Sequence, residues 1–258
     1  NASLTISGVI GGTGALTIGS AGNTGTLILN GVNTYSGTTT VNAGILSISD
    51  DRNLGVVPSN LDSASLTLNG AELLNTGSSV ILALNRGVTL GSNGGTLSSA
   101  ANTSLTISAA ITGSGSLTMG SSGNAGTIAL LGANTYSGSS TIAEGTFQLG
   151  AGASLSGSTT LSMTGTTTLD LFGNSLTFAS LSGASGNTIL NSKASSLSTI
   201  TVTGGTTTFA GTIKDNTGTG GTVALTVNGA TLTLSGANTY SGGTTLTSGV
   251  LLAGVASS

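Results

Sequence analysis

The side chains that could carry out chemistry are few and mostly isolated along this sequence. Histidine and cysteine are absent, which excludes a serine–histidine triad, a thiol nucleophile and the common zinc sites. Glycoside cleavage would need two carboxylates on either side of one bond. The seven carboxylates are Asp50, Asp51, Asp62, Glu72, Glu144, Asp170 and Asp215.

Only Asp50 and Asp51 are adjacent, and neighbouring residues of a strand point to opposite faces. We therefore predict no catalytic residue, no metal site and no cofactor. The run "DDR" at 50–52 is interpreted as solvated loop charge.

The composition excludes several classes of partner. Of 258 residues only eleven are charged, and the net charge is −3. Four scattered basic residues cannot neutralise a row of phosphates, so no nucleic acid partner is expected. The apolar runs are too short to span a bilayer as a helix, so we expect no membrane insertion by this chain.

Short strands must position whatever residues are functional. Triplets of aliphatic, small polar and aliphatic residues recur between Gly, Asn and Ser turns, which is the period-two pattern of half-buried strands. Three such triplets begin at Leu27, Leu46 and Leu66, at nearly equal intervals. We read this interval as one coil of an all-β parallel β-helix (β-solenoid) with roughly 20 residues per rung, hence about 13 rungs and a rod about 60 Å long.

A longer repeat is superimposed on the short one. Residues 1–50 and 102–151 share 26 identities without a gap. The predicted domain is therefore one continuous β-helix over 1–258, built of about two and a half long repeats at 1–101, 102–205 and 206–258.

The pentapeptide "NTYSG" occurs once in each long repeat, between a strand and a strand rich in Thr and Ser. Asparagine and glycine suit turns, so we interpret the motif as a structural corner whose asparagines satisfy backbone groups and whose tyrosines pack on the outer edge. A second reading is that the tyrosines contact sugar or a partner. The corner residues are Asn33, Tyr35, Gly37, Asn134, Tyr136, Gly138, Asn238, Tyr240 and Gly242.

Threonine clusters raise the possibility of an ice-binding face. They lie at 38–40, 166–168 and 206–208. Such a face needs a flat Thr-x-Thr array on consecutive rungs, and we expect these clusters to be too far apart for it.

The corner sequences resemble the autotransporter-associated β-strand repeat, also called the passenger-associated transport repeat. The resemblance lies in "GVNTYSGTTTVNAGIL" (31–46), "GANTYSGSSTIAEGTF" (132–147) and "GANTYSGGTTLTSGVL" (236–251). It implies a right-handed β-helix that is exported by Gram-negative bacteria and is extracellular or displayed on the outer cell surface, often within large adhesins.

From this resemblance we expect a non-enzymatic, rigid cell-surface spacer, adhesin shaft or end-to-end stacked extracellular fibre subunit. The alternative is a carbohydrate-binding or carbohydrate-cleaving β-helix. Asn1 aligns with interior Asn102, and the C-terminal "LLAGVASS" is typical of another strand and turn. We therefore expect self-association end to end or continuation of a longer repeat array, with a surface glycan or a host or matrix receptor as a possible partner.

Overall fold

The chain is all β in a computed structural model that describes residues 2–155 and 160–254. These ranges contain one 3-10 helix, Asp51–Leu54, and 25 strands. In chain order the strands are β1 (Ser3–Ile6), β2 (Leu16–Ile18), β3 (Thr26–Leu29), β4 (Thr39–Val41), β5 (Ile45–Ile48), β6 (Asp62–Leu68), β7 (Ala71–Asn75), β8 (Ser79–Leu82), β9 (Arg86–Leu90), β10 (Gly95–Ile107), β11 (Ile111–Gly113), β12 (Leu117–Met119), β13 (Ala125–Leu130), β14 (Ser140–Ile142), β15 (Gly145–Leu149), β16 (Thr160–Met163), β17 (Thr167–Asp170), β18 (Leu176–Phe178), β19 (Ser180–Gly183), β20 (Thr188–Leu190), β21 (Leu197–Val202), β22 (Thr206–Phe209), β23 (Thr212–Ile213), β24 (Thr222–Leu234) and β25 (Thr244–Ala253).

Alternating side chains build the strands. In β13, Ile128 and Leu130 are buried while Thr127 and Ala129 are partly exposed. The inward residues fill the bore, and each fully buried aliphatic side chain contributes about 1.5–3 kcal/mol relative to exposure. Strand character therefore follows from the local period-two pattern.

The strands pair in parallel, so the predicted parallel β-solenoid is confirmed. It has about 11 turns with about 23 residues per rung, slightly longer rungs and therefore fewer of them than the predicted roughly 20 residues and about 13 rungs. At about 4.8 Å per rung, the described solenoid is about 50 Å long rather than about 60 Å.

The stacking partners explain why the average rung is longer than 20 residues. Leu27 pairs with Leu46 as expected, but Leu46 pairs with Leu73 rather than with Leu66. Leu66 instead lies in the five-stranded sheet formed by β2, β4, β6, β9 and β11, where it pairs with Thr39 and Val88. The 3-10 helix and the loop after it lengthen the coil between Leu46 and Leu73.

The long strand β10 turns a corner of the coil without being interrupted. In β10 the pairing register shifts between Ser99 and Ser104, and Asn102 lies between them with a φ of 63°. The first half of β10 pairs with β7 and β12, whereas its second half pairs with β8 and β13. Asparagine is one of the residues that tolerate this left-handed geometry, so the strand passes from one face to the next.

The long repeat does not correspond to a whole number of turns. Leu27 and Ile128 occupy equivalent positions in the first two long repeats. Leu27 belongs to the file that continues through Leu46 and Leu73, whereas Ile128 pairs with Leu105 and Phe147 on another face. Equivalent segments therefore face different directions around the axis. The division into long repeats at 1–101, 102–205 and 206–258 stays a prediction.

The ends of the sequence are described in part. Leu251–Ala253 continue β25, in line with a further strand, while Asn1 and residues 255–258 lie outside the described residues. None of the helical residues that the structure describes forms a segment long and apolar enough to cross a membrane.

Candidate functional site

The three asparagines of the "NTYSG" corners replace a peptide group in the ladder between coils. Each side-chain oxygen accepts a hydrogen bond from the backbone N–H of an isoleucine in the preceding coil. The bonds, all of 2.8 Å, are Ile10 N to Asn33 Oδ1, Ile111 N to Asn134 Oδ1 and Ile213 N to Asn238 Oδ1.

The side-chain nitrogens of the same asparagines donate to carbonyl groups. Asn33 Nδ2 donates to Asn53 O (2.6 Å), and Asn134 Nδ2 donates to Ser154 O (2.7 Å), in each case in the following coil. Asn33 and Asn134 are buried, so these bonds satisfy groups that water does not reach. Each of these two amides therefore joins three successive coils.

The corner tyrosines point inward, which corrects the expectation that they pack on the outer edge. Tyr35 and Tyr136 are 2% and 0% exposed, while Tyr240 is half-buried. A buried tyrosine needs a partner for its hydroxyl, and each finds one four residues later. The hydroxyl pairs are Tyr35 with Thr39 (2.7 Å), Tyr136 with Ser140 (2.6 Å) and Tyr240 with Thr244 (2.6 Å).

Burial raises the pKa of Tyr136 to about 12, although the hydrogen bond with Ser140 opposes the shift. The pKa of Tyr35 is raised in the same way by burial, against its bond with Thr39. Because the rings of Tyr35 and Tyr136 have no exposed face, neither ring can stack on a sugar. Both rings are part of the core.

The corner glycines are required by close packing rather than by their dihedral angles. A methyl group at Gly37 would overlap the carbonyl of Gly14, and one at Gly138 would overlap the backbone of Gly115. Neither glycine has a positive φ. The corner therefore needs glycine because successive coils approach there with no room for a side chain.

The carboxylates at 170 and 215 serve the protein's own turns. Asp170 is buried and accepts bonds from Phe172 N, Ser192 N, Ser192 Oγ and Gln148 Nε2. Asp215 accepts from Val223 N (2.8 Å) and Ser241 N (3.0 Å). Burial alone would raise the pKa of Asp215, but these bonds hold that pKa below its usual value. Over residues 2–155 and 160–254, no three acidic side chains come together in a way that could hold a metal ion.

The run at 50–52 is more structured than solvated loop charge, which corrects that interpretation. Asp50 caps the 3-10 helix and pairs with Arg52 at 2.8 Å. The hydrogen bonds from Arg52 lower the pKa of Asp50 to about 2. Asp51 pairs instead with Arg86 at 2.8 Å, and the Arg86 side chain is only 2% exposed.

Each of the three guanidinium nitrogens of Arg86 donates a hydrogen bond. Besides the bond to Asp51, the guanidinium donates to Leu54 O (2.8 Å) and Gly55 O (2.9 Å), and so ties β9 to the end of the 3-10 helix in the preceding coil. The sequence contained a signal for this burial: Arg86 is two residues before Val88 and four before Leu90, both of which point inward. Period-two alternation places all three on the buried face.

Threonines from different strands stack into files on the outer surface of the solenoid. The sequence prediction considered only threonines that are neighbours in the chain and did not identify these files. In the five-stranded sheet one file runs over five rungs, and its last two hydroxyls, Thr89 and Thr112, are 2.9 Å apart. The file consists of Thr17, Thr40, Thr67, Thr89 and Thr112. The file is one residue wide, because only the middle one of the three consecutive paired residues in each strand of this sheet points outward. It is therefore not a Thr-x-Thr array.

The sequence matches a family model described as "Passenger-associated-transport-repeat" at residues 23–48, 123–149 and 225–253. Each match includes one "NTYSG" corner and the strands on either side of it.

The chain is also similar to the adhesin BmaC autotransporter of Brucella suis biovar 1 (strain 1330). The two are 34% identical over 231 residues, which cover 85% of this chain and 6% of that protein. The chain thus spans a small part of the length of this relative. No solved structure matches it. The three repeat matches and this similarity show that the chain belongs to the proteins built from passenger-associated transport repeats.

Proposed function

We propose that this chain is a rigid, non-enzymatic length of an exported solenoid on the outer surface of a Gram-negative bacterium, where it acts as a spacer or adhesin shaft. The observation that carries the proposal is the ladder: strands of successive coils pair in parallel from β1 to β25. Such a ladder joins every coil to its neighbours and gives the molecule length without a hinge.

Three features support rigidity. Backbone hydrogen bonds run along the axis, aliphatic files fill the bore, and the buried amides of Asn33 and Asn134 tie coils together at the corners. A carbonyl and an N–H that are both satisfied by one buried amide cannot separate without breaking at least one of its two bonds.

The similarity to an adhesin autotransporter supports the surface location. Because the chain corresponds to 6% of that protein, a shaft that carries an adhesive region encoded elsewhere fits the comparison better than a complete adhesin. Carbohydrate binding or cleavage is the competing hypothesis.

Distance measurements between spin labels test the rigidity. The chain has no cysteine, so Thr17→Cys with Thr245→Cys would provide two unique labelling sites near opposite ends. We expect a single narrow distance distribution near about 48 Å, from about ten rungs at about 4.8 Å. The pair Thr17→Cys and Thr112→Cys, about four rungs apart, is the matched control. A broad distribution for the long pair alone would contradict the shaft.

Two further assays test location and chemistry. Antibodies against the purified chain should stain intact cells of the source bacterium as strongly as permeabilised cells. Polysaccharide libraries should release no reducing sugar, and a glycan array should show no specific ligand. Repeated turnover of any polysaccharide would overturn the non-enzymatic assignment.

We further propose that the outermost described rungs pair with another rung, from a longer array or from a second copy. Leu4 on the first rung is 61% exposed, and Leu246, Val250 and Leu252 on the last are 45–52% exposed. Light scattering at increasing concentration tests the second copy: a monomer at every concentration would contradict stacking between copies.

A further inference from the structure

We infer that the loop at 55–62 is a preformed docking surface for a peptide segment of a partner protein in which aliphatic side chains adjoin a basic one. The inference concerns one side of the solenoid and stands whether or not the solenoid acts as a shaft.

The loop projects from the lengthened coil between β5 and β7, in which Leu46 pairs with Leu73. It lines an open depression of about 490 Å³. Three aliphatic side chains of the lining are well exposed, Val56 at 52%, Val57 at 36% and Leu61 at 61%. Aliphatic side chains grouped in this way on a surface mark an interaction site more often than scattered ones do.

The loop is held at several points by residues of the neighbouring coils. Arg86 binds the carbonyls of Leu54 and Gly55 at its start. The amide of Asn85 donates to Pro58 O and Ser59 O in its middle, at 3.0 and 3.1 Å. Asn85 O accepts from Asp62 N at its end. Val56 N also donates to Tyr35 O in the preceding coil, so the depression exists before any partner arrives.

Gly55 completes this anchoring. Its φ is 77°, and a Cβ at this position would lie 2.5 Å from Tyr35 O and 3.0 Å from the ring. Only glycine can therefore pass between the buried corner and the exposed loop.

One of the few basic side chains of this protein holds the loop in place. Only four side chains are basic, and one of them is buried against Asp51 to bind the base of this loop. A buried ion pair contributes little net stability compared with apolar residues of the same size. Its effect here is to fix one loop conformation, and a fixed conformation lowers the entropy lost when a ligand binds.

The charges around the loop indicate the chemistry of the ligand. Five of the eleven charged residues lie here, at 50, 51, 52, 62 and 86. Asp50 pairs with Arg52 and Asp51 with Arg86, and these are the two ion pairs within the described residues. Asp62 is left without a cation and accepts from Ala64 N, at the margin of the depression. An aliphatic surface beside an uncompensated carboxylate is complementary to an aliphatic segment with a lysine or arginine.

Three fluorescent hexapeptides test the inference by anisotropy against the whole chain. The probe is Ala-Lys-Val-Leu-Lys-Ala, the charge-reversed control is Ala-Glu-Val-Leu-Glu-Ala, and the control without aliphatic side chains is Ala-Lys-Ser-Ser-Lys-Ala. We expect saturable binding of the first peptide only. Equal binding of all three, or none of the first at millimolar protein, would overturn the proposal.

Variants of the chain locate the binding. Asp62→Asn and Leu61→Ser should each weaken binding of the first peptide by about fivefold, as expected for one partly exposed ion pair or one small apolar contact. Glu144→Gln removes a carboxylate in the turn between β14 and β15 and should leave binding unchanged. Thermal melts of all three variants should match that of the parent chain. An equal loss in Glu144→Gln would show binding to net charge alone, and no loss in Asp62→Asn would show that this carboxylate does not contact the peptide. Either result would refute the docking surface.

Discussion

Single buried polar side chains hold the corners of this solenoid together. Asn134 joins Ile111 of one coil to Ser154 of another, and Tyr136 occupies the core because Ser140 satisfies its hydroxyl. The corner motif therefore has a defined local chemistry: an amide that mimics a peptide group, a ring that fills volume, and a glycine that permits close approach. We expect substitutions to act through stability at each of these positions.

Asn134→Ala should lower the free energy of unfolding by about 1–3 kcal/mol, because the buried N–H of Ile111 loses its partner and Ser154 O keeps only its bond from Asn134 N. Asn238→Ala should cost less, since Asn238 is only half-buried and water can replace its bonds. Urea unfolding followed by circular dichroism measures both. Equal losses at the two positions would contradict the role of burial.

Alkaline pH should destabilise the fold through Tyr136. Its pKa is about 12 in the folded chain against an ordinary value of 10, so the unfolded chain releases the proton first. Stability is therefore unaffected below pH 10 and falls above it, by up to about 1.4 kcal/mol per pH unit from this group.

Melting temperatures from pH 8 to pH 11.5 test this. Tyr136→Phe should melt lower than the parent chain at pH 8, because the bond to Ser140 is lost, and should show a weaker fall above pH 10. Tyr240→Phe removes the hydroxyl of the half-buried copy and serves as control. Parallel curves for Tyr136→Phe and the parent would refute the assignment.

At the scale of elements, the lengths of the corners set which strands meet. The step from Leu27 in β3 to Leu46 in β5 is much shorter than the step from Leu46 to Leu73 in β7, yet both pairs are in parallel register. The extra residues form the 3-10 helix and the loop at 55–62, which Arg86 of β9 binds from the next coil. One element therefore depends on a side chain from another coil.

Asp51→Asn should lower the free energy of unfolding by about 3–5 kcal/mol, because it leaves Arg86 buried without a counter-charge. The double substitution Asp51→Leu with Arg86→Met should recover most of that loss, since apolar residues can replace a buried pair. Asp50→Asn breaks the exposed pair and should have a much smaller effect. Chemical denaturation of the four proteins measures these differences, and a double variant less stable than Asp51→Asn would contradict the interpretation.

At the scale of the whole molecule, stability is shared between neighbouring coils. Leu105 packs between Val80 and Ile128 of the adjacent rungs, and it is fully buried. A solenoid has few contacts beyond the next coil, so damage at one rung spreads through adjacent interfaces. The same property would let the fold be extended by further repeats.

Leu105→Asp should open several neighbouring rungs, because an unpaired charge in the bore is very costly. Hydrogen exchange with mass spectrometry should show lost protection first in β8 and β13, the partners of this part of β10. Thr106→Asp, one residue away and directed outward, should leave protection nearly unchanged. Loss confined to β10, or equal loss in both variants, would argue against cooperation between coils.

The sequence by itself determined the strands, the parallel coil, the corner motif and the family. These depend on local features, namely period-two alternation, turn residues and a recurring pentapeptide, and each is readable without knowing what lies nearby. Arg86 lies two residues before Val88 and four before Leu90, so alternation places it on the same buried face. Its burial too was therefore encoded locally.

Only the tertiary structure decided which strands stack, and with them the surroundings of the corner residues. Leu46 lies on Leu73 rather than on Leu66 because a corner can absorb several residues without changing the pattern of the strands on either side. The inward tyrosines, the pairing of Asp51 with Arg86 and the threonine file follow from that stacking. Which strands pair depends on the summed lengths of all the corners between them. Period-two alternation carries no information about that sum.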